Sequence, residues 1–497
     1  MLGGWVISVI VFFLSANFAG RFRLVAALTF LLLSIGCVQA LQESAAMLSE
    51  AEFLEEIPTV ISASRLAQAP EDAPGVVTVI SRDLIRASGA RNIAEVFRLV
   101  PGVVVGYSRG GQAVVAYHGL SGSISQRMQV LVDGRSLYSP YSFGGVDWNS
   151  LSIGLDDIDR IEVFRGSNSA SYGANAFLGV ANIITRTALE SRGVGGGVVL
   201  GSNGIQDGQL RLGGSVSALN WALSAGIQSD FGLSERADNF SKRYFNFRGD
   251  LRPGVDDEIS FSLGATASRL GLGTPGKLID PARFEEVSSY SGLLRWRRQL
   301  APGNEFAFTA SVARDLGEDA YFIPVTANSG ITVDYARQAE KLAIEYQHQA
   351  VLSDMWRAVW GLDYREEWVV ASQLFNTYQR QETHAARAYL SAEYRPVDFL
   401  TGNFGLLYER EALAGEQFAP RIGLNWKALP GHRLGIGYST AFRLPSLFEQ
   451  RSDWRFSYLG QTIDIRYLSR GGLAAEKIKA TEITYVGNWR KSGLGID

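Results

Sequence analysis

Residues 386–394 read Ala386-Arg387-Ala388-Tyr389-Leu390-Ser391-Ala392-Glu393-Tyr394, with Ala, Ala, Leu, Ala and Tyr on the even positions and Arg, Tyr, Ser and Glu on the odd. A repeat of two puts alternate side chains on opposite faces of a strand. The pattern recurs from Ile259 to Ser268, Trp356 to Arg365, Arg421 to Lys427 and Arg433 to Ser439. One face is apolar, with aromatics near the ends. The other is polar and often charged. A soluble sandwich would turn the apolar face to a core. A membrane barrel turns it to lipid and lines its lumen with the polar face.

The connections separate the two. Short ones are expected near 217–220, 252–257, 301–304, 352–354, 395–398 and 428–431. Long ones are expected near 229–242, 270–285, 316–331, 372–382, 411–417 and 443–479. Short and long alternate along the chain, as in an up-and-down barrel with tight periplasmic turns and long outer loops. About 14 strands fit, the last from Thr481 to Trp489.

Composition agrees. Glycine accounts for 54 of 497 residues and aromatics for 11%, including ten Trp, a mix suited to a barrel. The net charge of −3 suggests neither nucleic acid nor an acidic surface as partner. The single Cys, Cys37, lies in the leader, so no disulfide framework is expected. His118, His348, His384 and His432 are scattered without metal-ligand spacing, and no metal site is expected. Residues 1–40 read as a signal segment: Arg21 and Arg23, then an apolar run from Leu24 to Ile35, then Val38-Gln39-Ala40. A transmembrane helix and a lipoprotein site at Cys37 are the alternatives. An earlier apolar stretch, Trp5 to Leu14, fits a start site placed too far upstream.

Residues 53–187 have a different rhythm. Val76 to Ile80, Val103 to Val105, Val130 to Val132 and Ile161 to Val163 read as short strands. Ile93 to Leu99 reads as a helix ended by Pro101-Gly102, and Asp133-Gly134 as a turn. The expected fold is an α/β plug inside an antiparallel transmembrane β-barrel. A lumen wide enough for such a plug needs about 22 strands, so about eight are expected beyond this chain. An unpaired edge points the same way: roughly ten orphan backbone groups at about 1–3 kcal/mol each rival a typical folding stability of about 5–15 kcal/mol.

Several motifs now resemble one family. Leu131-Val132-Asp133-Gly134, Ile158-Asp159-Arg160-Ile161-Glu162-Val163-Phe164-Arg165-Gly166, Ser171-Tyr172-Gly173-Ala174-Asn175-Ala176 and Gly179-Val180-Ala181-Asn182-Ile183-Ile184-Thr185 resemble the plug of TonB-dependent outer-membrane receptors. So does Leu99-Val100-Pro101-Gly102-Val103. Ala419 to Leu424, Ala441 to Glu449 and Leu473 to Glu482 resemble that family's barrel. The resemblance implies energised import of a scarce nutrient across the Gram-negative outer membrane after signal-peptide export. The cargo would be a ferric siderophore, or cobalamin or haem. No bound cofactor is implied; the cargo is expected to be an iron chelate. TonB with its inner-membrane complex, outer-membrane lipid and the barrel-assembly machinery are the implied partners, and the chain is expected to be a monomer.

The division it implies is 1–40 signal, 41–56 periplasmic extension, 57–65 TonB-binding segment, 66–187 plug and 193–497 partial barrel. The extension leaves no room for an N-terminal signalling domain. TonB would add Pro58, Thr59, Val60, Ile61, Ser62 and Ala63 to its sheet edge as an extended strand; an ordinary first plug strand is the alternative. Arg165, Glu162, Arg160 and His118 are the candidates for a plug–barrel lock, with Glu345, Glu393 or Glu409 as wall partners of Arg165. His118 stands where the family commonly has Arg, and reads either as a pH-dependent lock or as a neutral hydrogen-bonded residue. Tyr107, Arg109, Tyr138, Tyr141, Phe143 and Trp148 are candidate ligand contacts, suited to an anionic aromatic chelate. Packing of those aromatics against the wall is the alternative.

Competing functions fit less well. A passive porin has no N-terminal plug. An outer-membrane enzyme needs a nucleophile and base, and Gly-x-Ser-x-Gly does not occur. A receptor that only binds a surface partner needs no TonB segment.

Overall fold

A computed structural model describes residues 59–489 and 494–496, apart from Ser234 and Pro430. The expected signal segment, the extension and Pro58 lie outside the described residues.

The plug is a five-stranded mixed sheet in the order Val76–Ser81, Ile158–Arg165, Gly179–Thr185, Met128–Val132, Arg135–Ser136. Met128–Val132 and Gly179–Thr185 run parallel; the other pairs are antiparallel. Asp133 and Gly134, both at positive φ (50° and 87°), make the tight turn that their sequence signals. The helix Arg82–Ala87 starts where Ser81 accepts from the Leu84 N–H, and Ile93–Val96 starts where Asn92 accepts from Glu95. Phe97, Val130, Ile161 and Ile183 are buried at the centre.

The wall is one antiparallel sheet of fifteen members, from Gly193–Leu200 to the three-residue strand Leu494–Ile496. Fourteen are of ordinary length, ending at Glu476–Trp489. No pairing joins the first and last members among the described residues. The hairpins Ala320–Thr326/Ser329–Asp334 and Asp453–Tyr458/Gln461–Leu468 stand outside the sheet, in two of the long connections.

All six short connections fall where the sequence places them. One expected long loop, 411–417, is instead a three-residue turn, Ala412 to Ala414. The Glu411 carboxylate closes it by accepting from the Leu413 and Ala414 N–H groups, and Gly415 takes a φ of 72°.

The wall is polar inside and apolar outside. Leu362, Ile422 and Leu424 are 54%, 52% and 46% exposed, while Asp363, Arg421 and Asn425 on the same strands are 7%, 5% and 3% exposed. Water would penalise such a surface; hydrocarbon would not. No helix among the described residues is long and apolar enough to cross a membrane, so the strands are the spanning elements. Wall strands spread around the sheet bond the plug. Asp207 and Asp230 hold Arg91, Arg295 reaches the Asp133 carbonyl, Lys341 that of Tyr138, and Arg433 those of Ala73 and Gly75. The strands therefore curl around the plug.

Candidate functional site

The segment expected to be an extended TonB-binding strand is a compact buried turn. Val60 exchanges two backbone hydrogen bonds with Gln68 (2.8 and 3.0 Å), and the Arg65 N–H donates to the Ile61 carbonyl (2.9 Å). Val60, Ser62 and Ala63 are fully buried. The reason lies in Glu162, a carboxylate with no exposed surface. One oxygen accepts from the Ile61 N–H (2.9 Å), the Ser62 N–H (3.0 Å) and the Ser62 hydroxyl (2.7 Å). Its other oxygen accepts from Arg160 (3.0 Å). A buried charge needs such donors, and a straight strand would not bring three of them to one atom.

Arg65 then leaves the turn at a φ of 65°. Its guanidinium donates to Glu345 (2.6 Å) and to the Ser171 carbonyl (2.7 Å) and lies over the rings of Tyr172 and Tyr389 (4.8 and 4.3 Å). Burial opposes its charge, but Glu345 and the two tyrosines outweigh it and hold the pKa above the ordinary value.

This rearranges the expected lock. Glu162 and Arg160 pair with each other and with residues 61–62, within the plug and not across to the wall. The carboxylates expected of Arg165 have other partners. Glu345 takes Arg65, Glu393 takes Arg357 (2.7 Å) and Gln68, and Glu409 takes Arg365 (3.4 Å) and the Ala174 N–H (3.1 Å). Arg165 ends the strand Ile158–Arg165, opposite Val76 and Gly179. His118 is exposed on a turn of positive φ, its ring on Tyr117 (4.0 Å), with no ion pair to the wall among the described residues.

Further contacts join plug and wall. Asp72 receives Arg395 (2.7 Å), Lys427 (2.9 Å) and Thr401 (3.0 Å). Arg127 meets Glu476 (3.1 Å). Gly173 permits one close approach: a Cβ there would lie 2.6 Å from Arg387 and 2.7 Å from Glu409. Neither Asp72 nor Arg91 stands in a motif that marks it, and Arg65 is marked only as the end of the TonB-binding segment. The only signal was a charged residue in an apolar plug stretch.

On the long-loop side a cavity of about 370 Å³ opens between plug and wall. Tyr141 donates to Glu285 (2.7 Å), and Arg337 bonds the same carboxylate and lies 4.3 Å over the Tyr141 ring. Burial raises the Tyr141 phenol, so it stays protonated and a donor. Phe143, Arg283, Tyr335 and Trp454 complete the rim, with Tyr335 edge-on to Trp454 at 5.6 Å. Of the sequence candidates, Phe143 lines this cavity, and Tyr141 lies buried behind it, against Glu285 and Arg337. Tyr138 and Trp148 are buried in the plug, Tyr138 donating to the Met128 carbonyl and Trp148 packing edge-on against Phe97 at 5.1 Å. Tyr107 lines a separate cavity and bonds Glu95 (2.7 Å). Arg109 lies in the short helical turn Arg109–Gly111. Arg283, Arg337 and Trp454 were missed as individuals. Only the abundance of Arg and aromatics in the long connections pointed to them.

Two family models match the chain. The TonB-dependent receptor plug domain matches residues 69–180, and the TonB-dependent receptor-like β-barrel matches residues 220–497. The vitamin B12 transporter BtuB of Vibrio cholerae is 26% identical over 410 residues, 79% of this chain and 63% of that one. BtuB of Photobacterium profundum is 28% identical over 361 residues, 68% and 54% of the two chains. The chain thus spans less than two thirds of the length of these curated relatives. Among solved structures, the ferric enterobactin receptor PfeA of Pseudomonas aeruginosa superposes with a TM-score of 0.69 at 17% identity, over 87% of this chain and 71% of that one. The siderophore receptor PirA of Acinetobacter baumannii gives 0.66 at 17% identity, over 83% and 68%. At that identity the likeness is one of fold.

Proposed function

This chain belongs to the TonB-dependent receptor family, and from that premise we propose that it imports a scarce, bulky nutrient across the outer membrane, driven through TonB. It is a transporter in this reading and not an enzyme. Residues 1–40 export it, residues 41–56 extend into the periplasm, residues 57–65 meet TonB, residues 66–187 plug the lumen and residues 193–497 form wall. The barrel-assembly machinery inserts it, and it works as a monomer in lipid.

One observation carries the proposal. The segment ahead of the plug is folded against Glu162 and latched to the wall by Arg65 and Glu345. A passive pore has no use for a segment that must be withdrawn before it can be gripped. TonB would add that segment to its sheet as a strand, which requires the turn to open.

The cargo is an anionic aromatic iron chelate, bound in the long-loop cavity. Arg337 and Arg283 supply charge there, and Phe143, Tyr335 and Trp454 supply stacking faces. A second cargo, cobalamin, is favoured by the likeness to the vitamin B12 transporters of Vibrio cholerae and Photobacterium profundum. Cells carrying this chain, with and without Val60→Pro, would be given labelled ferric chelates and labelled cobalamin. Proline removes the Val60 N–H that a strand ladder needs. Uptake of one class, lost in the variant, is expected. Equal uptake of every compound by both strains overturns energised import.

A further inference from the structure

A second cavity, of about 520 Å³, lies between the plug and the wall on the short-turn side. Its floor is the hairpin Met128–Val132/Arg135–Ser136, the last pair of the plug sheet. Eight Lys and Arg side chains line it against five Asp and Glu, so it carries a net positive charge. Most of these cations are already engaged. Arg295 donates to the Asp133 carbonyl (2.8 Å), Arg248 to Thr185 (2.6 Å), Arg387 to Asp363 (2.8 Å) and Lys341 to Tyr138 (3.1 Å).

Arg135 differs. Its guanidinium makes no hydrogen bond and no ion pair among the described residues; Asp133 and Asp315 act on it only from a distance. Burial pulls its pKa below the ordinary guanidinium value, the mark of a cation short of compensation. A fork of guanidinium donors without partners, lining a cationic cavity, suits an oxyanion.

We propose that this cavity binds a small multivalent oxyanion, a polycarboxylate or a polyphosphate, with Arg135 as its principal contact. Its volume admits a molecule of that size. Arg65 and Glu345 also line the cavity, so an anion there competes with Glu345 for Arg65 and weakens the latch of the coupling segment. Binding is an equilibrium property of the chamber and does not depend on the import reading.

The test uses the full chain purified in detergent at low ionic strength, where charge attraction is least screened. Citrate and pyrophosphate are titrated calorimetrically, with raffinose as a neutral control. Binding of one or both anions is expected, weakened roughly tenfold by Arg135→Gln. Arg269→Gln, exposed and lining neither cavity, should leave it unchanged. Citrate alone identifies a polycarboxylate site and pyrophosphate alone a polyphosphate site. Arg135→Lys keeps the charge but loses the fork, so a smaller loss is expected, and this variant carries the test if Arg135→Gln does not fold. The proposal is overturned if neither anion binds, if raffinose binds as well, if the Arg135 variants bind as the parent does, or if Arg269→Gln is the variant that abolishes binding.

Discussion

The Arg65 guanidinium lies 2.6 Å from the Glu345 carboxylate, across 280 residues of sequence, and so fastens the turn ahead of the plug to the barrel wall. Both side chains are mostly shielded, at 12% and 22% of full exposure. Their pairing is worth more than a surface ion pair and less than a fully buried one. We expect Arg65→Ala to weaken plug docking by about 2–3 kcal/mol, near the lower end for a broken buried pair. The same change made with Glu345→Gln should cost less than the two single losses added together. Protease cleavage between residues 59 and 68 reads this out. A variant as resistant as the parent would remove the latch from the mechanism.

Glu162 holds the other side of that turn. Glu162→Leu keeps much of the bulk but leaves the Ile61 and Ser62 donors without an acceptor. Leaving buried donors without acceptors costs about 1–3 kcal/mol. The segment should open more readily, and hydrogen exchange at the Ile61 and Ser62 amides should accelerate roughly tenfold or more. Unchanged exchange would mean that the carboxylate is not what holds the turn.

In the outer cavity, Arg337 stacks on Tyr141 and bonds Glu285. Arg337→Gln should weaken binding of an anionic aromatic ferric chelate by about 1–2 kcal/mol, the scale of a desolvated cation–π contact with charge assistance. Cobalamin, without a comparable anionic aromatic surface, should bind equally well. Fluorescence quenching by each compound distinguishes them. A loss confined to cobalamin would exchange the two cargo readings.

Asp147 gives a pH signature. Burial pushes its carboxyl up to about 6, aided by Asp315 and Glu285 and opposed by the Asn149 N–H and Lys242. A folded-state pKa above the unfolded one means that the folded form holds the proton more tightly. Stability is therefore fullest below the unfolded value near 4 and falls as pH rises to about 6. The loss is about 3 kcal/mol if the whole shift is realised. Asp147→Asn still accepts from Asn149 and carries no charge to bury. It should raise the unfolding temperature near neutral pH and flatten the profile between about pH 4 and 6. A parent profile already flat over that range contradicts the burial argument.

The local features of this chain were legible in its sequence. Leu390, Ser391, Ala392 and Glu393 reveal a two-faced strand because side chains alternate on any strand, whatever surrounds it. Asp133-Gly134 reveals a turn because few residues accept positive φ. Even so, the stretch 411–417 was misjudged, since nothing local says that Glu411 will bend back and shorten the loop.

Which charges meet was not legible. With 50 acidic and 47 basic side chains, the sequence permits almost any pairing. It offered Glu345, Glu393 or Glu409 to Arg165, whereas the folded chain gives Glu345 to Arg65. That choice follows from strand register, which sets the height of Glu345 on the wall, and from the left-handed turn at Arg65, which aims the guanidinium outward. By itself the sequence determined a lipid-facing wall and a plug, because periodicity and turn chemistry act between near neighbours. Only the tertiary structure decided the clasp at Glu162, the latch at Arg65 and the unpartnered Arg135, because each depends on distances between residues far apart in the chain.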